Sequence, residues 1–264
     1  MTKSTLILVA LVALSTRGLA GPEQYSGKEV KQVAPAPPPC PSWTGFYVGA
    51  FGGYKFGVID PELRLGGSWQ LSIFEPDVRT LTSRANDELD TSGAELGGLI
   101  GYNYQWNNWV FGLEAAGGYL WLRDSHGEGD FFSDNGNQFF VSTSFKTHYL
   151  VTVGPRFGYA FCKWMPYVTG GLALGDLDFF QQFYAPDFFG ERAGGHKSET
   201  NAGWFVGGGL EYALTDHWRI RTQYQFVDLG SIGFDHDSAP STFPSSSHVD
   251  LREHNVSFAL VFGF

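Results

Sequence analysis

The sequence predicts an all-β protein, an eight-stranded antiparallel up-and-down transmembrane β-barrel. Three observations lead to this prediction. Aromatic residues make up 17% of the chain, glycine occurs 35 times, and only 17% of the residues are charged. Segments that alternate between apolar and polar residues recur along the chain, as in strands that face lipid on one side and a lumen on the other. Short and long connections between these segments also alternate, which a barrel with turns at one rim and loops at the other requires.

The alternating segments show which face meets lipid. In the seventh, Trp218 and Tyr224 share one face, whereas Arg219 and Arg221 share the other. Small and charged residues suit the narrow, side-chain-filled lumen of an eight-stranded barrel, so the aromatic face is predicted to point outward. In the fifth segment the facing of Val168, Leu172 and Leu174 is left open. The eight segments run roughly over 43–57, 93–106, 109–122, 143–160, 165–178, 199–213, 217–230 and 250–264.

Three regions are expected along the chain. Residues 1–20 combine Lys3, an apolar core and a small-residue cleavage site, which is typical of a secretory signal peptide. Residues 21–42 are rich in proline and are predicted to be a periplasmic linker. Residues 43–264 form the barrel, which places the protein in the outer membrane of a Gram-negative cell.

The connections set the topology of the predicted barrel. Short turns at 105–108, 161–164 and 214–217 are assigned to the periplasmic rim, together with both ends of the barrel. The long connections are predicted to be extracellular loops. They cover about 58–92, 123–142, 179–198 and 231–249.

Two terminal motifs of the predicted barrel carry a family resemblance. The segment Trp43-Thr44-Gly45-Phe46-Tyr47-Val48-Gly49, after a Pro-rich leader, resembles the opening strand of the outer-membrane immunogenic, opacity-type porin family. The end Val261-Phe262-Gly263-Phe264 resembles the aromatic-ended last strand that the outer-membrane assembly machinery reads, with Phe264 as the assembly signal. The resemblance implies a surface antigen or envelope-structural protein, sometimes with weak pore activity. Outer-membrane lipids, lipopolysaccharide and the assembly machinery are the partners expected for a monomer, and the loops could bind a host or surface ligand.

Charged residues on the polar faces are predicted to meet inside the lumen. Since an unpaired buried charge is costly, carboxylates and cations should pair across strands. Such a network could plug the barrel or line a selective ion path, and the sequence leaves both open. The predicted lumen charge network consists of Glu95, Glu114, Lys146, Arg156, Glu211, Arg219 and Arg221.

The chain contains two cysteines, both assigned to the periplasmic side. Cys40 lies three residues before the first strand, and Cys162 lies in the turn between the fourth and fifth strands. The periplasm permits disulfides, but the bond would have to reach across the barrel mouth. A disulfide and two free thiols therefore both remain possible.

An enzyme that modifies lipid A is the second alternative to the structural and surface-display role, after a narrow pore. An enzyme that removes acyl chains from lipid A, a deacylase, needs a serine activated by a histidine. His254 and Ser257 are predicted on opposite strand faces, and His148 lies too far along its strand from Ser144. We therefore assign no catalytic residues.

Metal, cofactor and nucleic-acid sites are not predicted either. The run 124–130 is acidic and Gly-rich but lacks the ligand order of a calcium-binding loop. The net charge of −10 lies mostly in the predicted loops, and no basic stripe is present to neutralise phosphates.

Overall fold

The computed structural model describes most of the predicted barrel. It covers residues 40–67, 89–131, 138–185, 191–239 and 245–264, together with residues 79, 82, 83 and 86. From residue 40 onward the described residues belong to one compact unit, Pro39–Phe264. The predicted signal peptide and all but the end of the predicted linker lie outside the described residues. No helix in this described part of the chain is long and apolar enough to cross a membrane.

Eight antiparallel strands form a closed barrel in chain order, with the first strand paired to the last. This result confirms the predicted fold class. Short turns join β2 to β3, β4 to β5 and β6 to β7, as the sequence predicts. The strands are β1 (Gly45–Leu65), β2 (Leu89–Trp106), β3 (Trp109–Phe131), β4 (Gln138–Tyr159), β5 (Trp164–Ala185), β6 (Glu191–Ala213), β7 (Trp218–Ala239) and β8 (Ser245–Gly263).

The barrel is inside out relative to a soluble one. Large apolar side chains cover its outer face, and Leu172 and Phe258 are 68% and 66% exposed. Charged side chains lie inside, where Glu211 is fully buried. The fifth strand follows the same rule, because Val168, Leu172 and Leu174 all point outward. An exposed apolar surface around a charged interior is stable in a lipid bilayer and unfavourable in water.

The strands are longer than the alternation predicts. β3 continues to Phe131, and β5 and β6 continue to pair as far as Ala185 and Glu191. β7 likewise continues to Ala239, and β8 begins at Ser245. The predicted loops 123–142, 179–198 and 231–249 are therefore largely strand. Beyond the apolar band, large apolar side chains such as Phe145 and Phe179 point into the lumen. The rule of apolar residues outside and polar residues inside therefore no longer marks the strands there, although the backbone ladder continues.

A β-bulge in β4 corrects the predicted facing of Lys146. The pairing of β4 with β5 shifts register between Lys146 and Leu150. In the bulge the backbone N–H groups of His148 and Tyr149 both donate to Asp176 Oδ1, at 2.9 and 2.8 Å. One extra residue reverses the facing of everything beyond it. Phe145 is consequently buried and Lys146 is exposed, so the prediction that Lys146 faces the lumen is wrong.

Candidate functional site

Two carboxylates and two arginines form a buried cluster in the lumen, which we call the central network. Arg156 of β4 donates to Glu114 Oε2 of β3 at 3.2 Å and to Glu211 Oε2 of β6 at 2.9 Å. Arg221 of β7 donates to the same two oxygens, at 2.7 Å and 3.1 Å. Both guanidinium groups thus bridge both carboxylates. All four side chains are at least nine-tenths buried.

Two tyrosines complete the central network. The Tyr47 hydroxyl donates to Glu114 Oε2 at 2.7 Å and accepts from Arg156 Nη1 at 3.1 Å. The Arg156 guanidinium lies over the Tyr167 ring, 4.0 Å from the ring centroid. Ring faces attract cations, so this contact adds to the ion pairs. The result is a cross-braced layer that joins β1, β3, β4, β5, β6 and β7.

Inward-facing glycines make room for this layer. A Cβ atom added at Gly101 would collide with the Tyr47 hydroxyl, and one at Gly112 would lie 2.8 Å from Arg156 Cγ. Any larger residue at either position would displace a member of the central network. The recurrent glycines of these strands therefore serve close packing.

A second cluster lies farther from the short turns. Lys55 of β1 is fully buried, with Nζ 3.3 Å from Glu253 Oε2 and 3.6 Å from Glu95 Oε1. Asn255 Nδ2 donates to Glu95 Oε2 at 2.6 Å. The alternation of residues predicts that Glu95 points inward, whereas Lys55 and Glu253 are not among the predicted lumen residues. Lys55 lies an even number of residues from Tyr47, and Glu253 lies an even number from Ser257. Since Tyr47 and Ser257 point inward, the alternation of the strands could have identified both charges.

Arg219 lies at the mouth of the barrel on the side of the short turns, next to the central network. Its Nη2 donates to the Ser42 carbonyl at 3.2 Å, and its guanidinium lies 4.7 Å from the Trp43 ring centroid. Glu211 Oε1 is 3.8 Å from Arg219 Nη1. Of the seven residues predicted for the lumen network, six point inward and Lys146 does not.

Charge is balanced inside the described part of the barrel. The buried charged side chains are four carboxylates and four cations. A cavity of about 20 Å³ lies between the two clusters and is lined partly by Glu95, Glu114 and Arg221. That volume is room for about one water molecule. Farther from the short turns, buried apolar side chains that include Phe145, Phe179 and Leu229 fill the lumen.

Cys40 and Cys162 are joined by a disulfide, with their Cα atoms 4.7 Å apart.

At the other end of the chain, the Phe264 backbone N–H donates to the Phe46 carbonyl at 2.9 Å. The Phe264 side chain is 74% exposed beside the first strand.

The candidate catalytic pair is split by the barrel wall. His254 faces outward, and its Nδ1 lies 2.6 Å from the Tyr224 hydroxyl. Ser257 is buried in the lumen. In the described ranges, no three His, Cys, Asp or Glu side chains are grouped closely enough to hold a metal ion.

Comparison with known proteins agrees with this architecture. The family model for the outer membrane protein beta-barrel domain matches residues 32–264. The 31 kDa outer-membrane immunogenic protein of Brucella melitensis is 31% identical over 195 residues, which cover 72% of each chain. The 22 kDa outer membrane protein of Rhizobium leguminosarum is 28% identical over 209 residues, 78% of this chain and 74% of the relative. Neisserial surface protein A covers 84% of this chain and 98% of its own at 15% identity, with a TM-score of 0.36. This chain belongs to the outer membrane protein β-barrel domain family, and it is a protein of the Gram-negative outer membrane.

Proposed function

We propose that the protein is a structural and surface-display barrel whose lumen is closed by its own side chains. The observation that carries this proposal is the central network, in which Arg156 and Arg221 each bridge Glu114 and Glu211. The network ties together walls on opposite sides of the barrel. Its role is to brace and fill the lumen.

The chemistry of the lumen favours a plug over an ion path. A permeating ion needs water or fixed ligands along its whole route, with binding weak enough to let it leave. Here the charged groups are engaged with one another, and the cavity beside them has room for about one water molecule. The apolar side chains around Phe145 and Phe179 add a second barrier. An ion would have to break buried pairs that have no replacement partners.

The end of the barrel away from the short turns, which we call the outer end, supports a display role. β3, β4, β5 and β6 continue as paired strands beyond the apolar band, so they would raise the connecting segments above the lipid surface. The Brucella melitensis relative is named an immunogenic protein. We infer that this end likewise faces the surroundings, where a host or surface ligand would meet it. Lipopolysaccharide is the proposed neighbour of the outward aromatic residues, and the protein is proposed to be a monomer.

No catalytic role is part of this proposal. The alternative of a lipid-modifying enzyme would need an activated nucleophile on the membrane side of the wall. His254 faces that side but pairs with the Tyr224 hydroxyl, and Ser257 lies on the lumen side. The carboxylates in the lumen are held by arginines or by Lys55 and do not reach the lipid.

Conductance in planar bilayers tests the closed lumen. The unmodified barrel should hold conductance near zero. Replacing both Arg219 and Arg221 with Ala should open a leak, since it removes lumen volume and two cations that face Glu211. Arg252→Ala is the matched control because Arg252 lies on the outer face beside Asp228. A steady, sizeable conductance from the unmodified protein would overturn the plug and favour the narrow pore.

A further inference from the structure

The residues that precede β1 lie across the periplasmic mouth. We call residues 40–44 the strap. The strap leads into β1 at Gly45, whose wall neighbours are β2 and β8. Its other end, Cys40, is bonded to Cys162 in the turn between β4 and β5. In an eight-stranded ring that turn is opposite β1, so the strap has to cross the opening.

Trp43 marks the middle of this crossing. It is 1% exposed and packs with Val110 of β3, Met165 of β5 and Ala213 of β6. Its backbone N–H donates to Gln105 Oε1 of β2 at 2.9 Å. A single side chain can approach residues of so many strands only from the axis of the barrel. Trp43 therefore closes the mouth below the central network.

The strap also contacts the central network through Arg219. The Arg219 guanidinium donates to the Ser42 carbonyl at 3.2 Å and lies 4.7 Å from the Trp43 ring centroid. The same guanidinium lies 3.8 Å from Glu211 Oε1, an oxygen without a hydrogen-bond partner. The strap thus covers the side of the network that would otherwise face the periplasm.

On the far side the disulfide is the covalent attachment of the strap. Trp43 also packs there against Met165 and Ala213, and its Nε1 donates to the Cys162 carbonyl at 3.2 Å. Cys162 has φ of 54°, in the left-handed region that non-glycine residues rarely occupy. Glycine or asparagine would suit this turn better, so the cysteine serves the bond and not the turn.

We propose that the strap is a disulfide-latched lid over the periplasmic mouth. With the Cys40–Cys162 bond intact, Trp43 stays in the mouth. A dithiol can reduce the bond, in which case the two cysteines become thiols and the dithiol is oxidised to its own disulfide. The strap then moves out of the mouth, and water reaches Arg219. The lid rests on the proposed closed lumen and shares Arg219 with it. Because the latch is the Cys40–Cys162 bond, reduction tests the lid without changing the charges of the lumen.

The test measures how accessible Trp43 is in the folded protein. Fluorescence quenching by acrylamide is recorded for the unmodified protein and for Trp43→Phe, and the difference isolates Trp43 from the other tryptophans. Dithiothreitol is added only after folding, so that the result does not depend on whether an unbonded chain assembles. Reduction should expose Trp43 to the quencher. Cys40→Ser should show the exposed value from the start and should not respond to dithiothreitol, and Cys162→Ser should behave in the same way.

Two outcomes separate the lid from the closed lumen. If Trp43 stays protected from acrylamide after reduction and in both serine variants, the lid proposal is wrong. That result would leave the closed-lumen proposal unaffected. Conductance of the oxidised protein overturns the closed lumen. If that conductance rises further on reduction, together with quenching of Trp43, the lid is supported even then.

Discussion

Arg221 Nη1 lies 2.7 Å from Glu114 Oε2, although their strands, β7 and β3, face each other from opposite sides of the barrel. The pair therefore spans the lumen and does not run along the wall. Backbone ladders connect only neighbouring strands. Side-chain pairs across the axis resist collapse or widening of the ring, which a ladder alone does not.

Removing one arginine from the central network should destabilise the barrel strongly. Arg221→Ala leaves Glu114 and Glu211 with fewer partners in a buried site, and breaking a buried pair in this way costs about 3–5 kcal/mol. The measurement is urea-induced unfolding in detergent micelles, followed by the gel shift between folded and unfolded barrel. Arg252→Ala, on the exposed outer pair with Asp228, should change the free energy of unfolding by less than about 0.5 kcal/mol. Equal effects of the two changes would refute the buried network.

The outward facing of β5 predicts a large penalty for charge at Leu172. Leu172→Arg should cost about 2–4 kcal/mol if the side chain sits near the bilayer midplane. Leu214→Arg is the matched control, because Leu214 is also exposed but lies in the turn between β6 and β7. It should be nearly neutral when both variants are unfolded from lipid vesicles. A mild effect at Leu172 would mean that β5 does not face lipid there.

The strand pattern could be read from the sequence because large apolar and charged residues alternate cleanly in β7. Arg219 and Arg221 are an odd number of residues away from Tyr224, which faces outward. Alternation therefore places both arginines inward, where they are buried. Parity fails where one residue is inserted, and the sequence carries no sign of the bulge at His148. Its carboxylate, Asp176, comes from the neighbouring strand.

The missed members of the lumen network have a similar cause. Lys55 and Glu253 lie near the outer end of their segments, where alternation fades and a charged residue resembles the start of a loop. The partners of a lumen side chain come from strands across the barrel, and sequence spacing does not specify distances across the axis. For the same reason the sequence left the Cys40–Cys162 bond open.

In the part of β4 beyond the bulge, between Gln138 and Thr147, substitutions should have the opposite effects on stability from those that uninterrupted alternation predicts. Phe145→Ala empties a buried site beside Phe179 and should cost about 3–5 kcal/mol. Lys146→Ala, one residue away on the exposed face, should shift the free energy of unfolding by less than about 0.5 kcal/mol. Both variants are compared by chemical unfolding in micelles. A costly Lys146→Ala with a harmless Phe145→Ala would restore the uninterrupted pattern.

The bulge itself should depend on the oxygen of Asp176. Asp176→Ala removes the acceptor of two backbone N–H groups, and each lost hydrogen bond to a carboxylate is worth about 1.5–3 kcal/mol. Asp176→Asn keeps an oxygen at the same place and should retain a large part of that stability. Amide hydrogen exchange at His148 and Tyr149 is the direct readout. Exchange that is equally slow in both variants would mean that the ladder, and not Asp176, holds these amides.

The outer end of the barrel should be cut by protease on intact cells. Arg64 is exposed but lies in β1, opposite Ser246 of β8, whereas Arg79 and Arg84 follow in the connection to β2. Connections between strands are preferred cleavage sites, so trypsin added outside should release peptides that end at Arg79 and Arg84. Lys28 and Lys31 of the predicted periplasmic linker are the internal control, since they should be cut only after the outer membrane is broken. Mass spectrometry of the released peptides distinguishes the two sets. Cleavage of the linker lysines in intact cells, with the arginines protected, would reverse the topology.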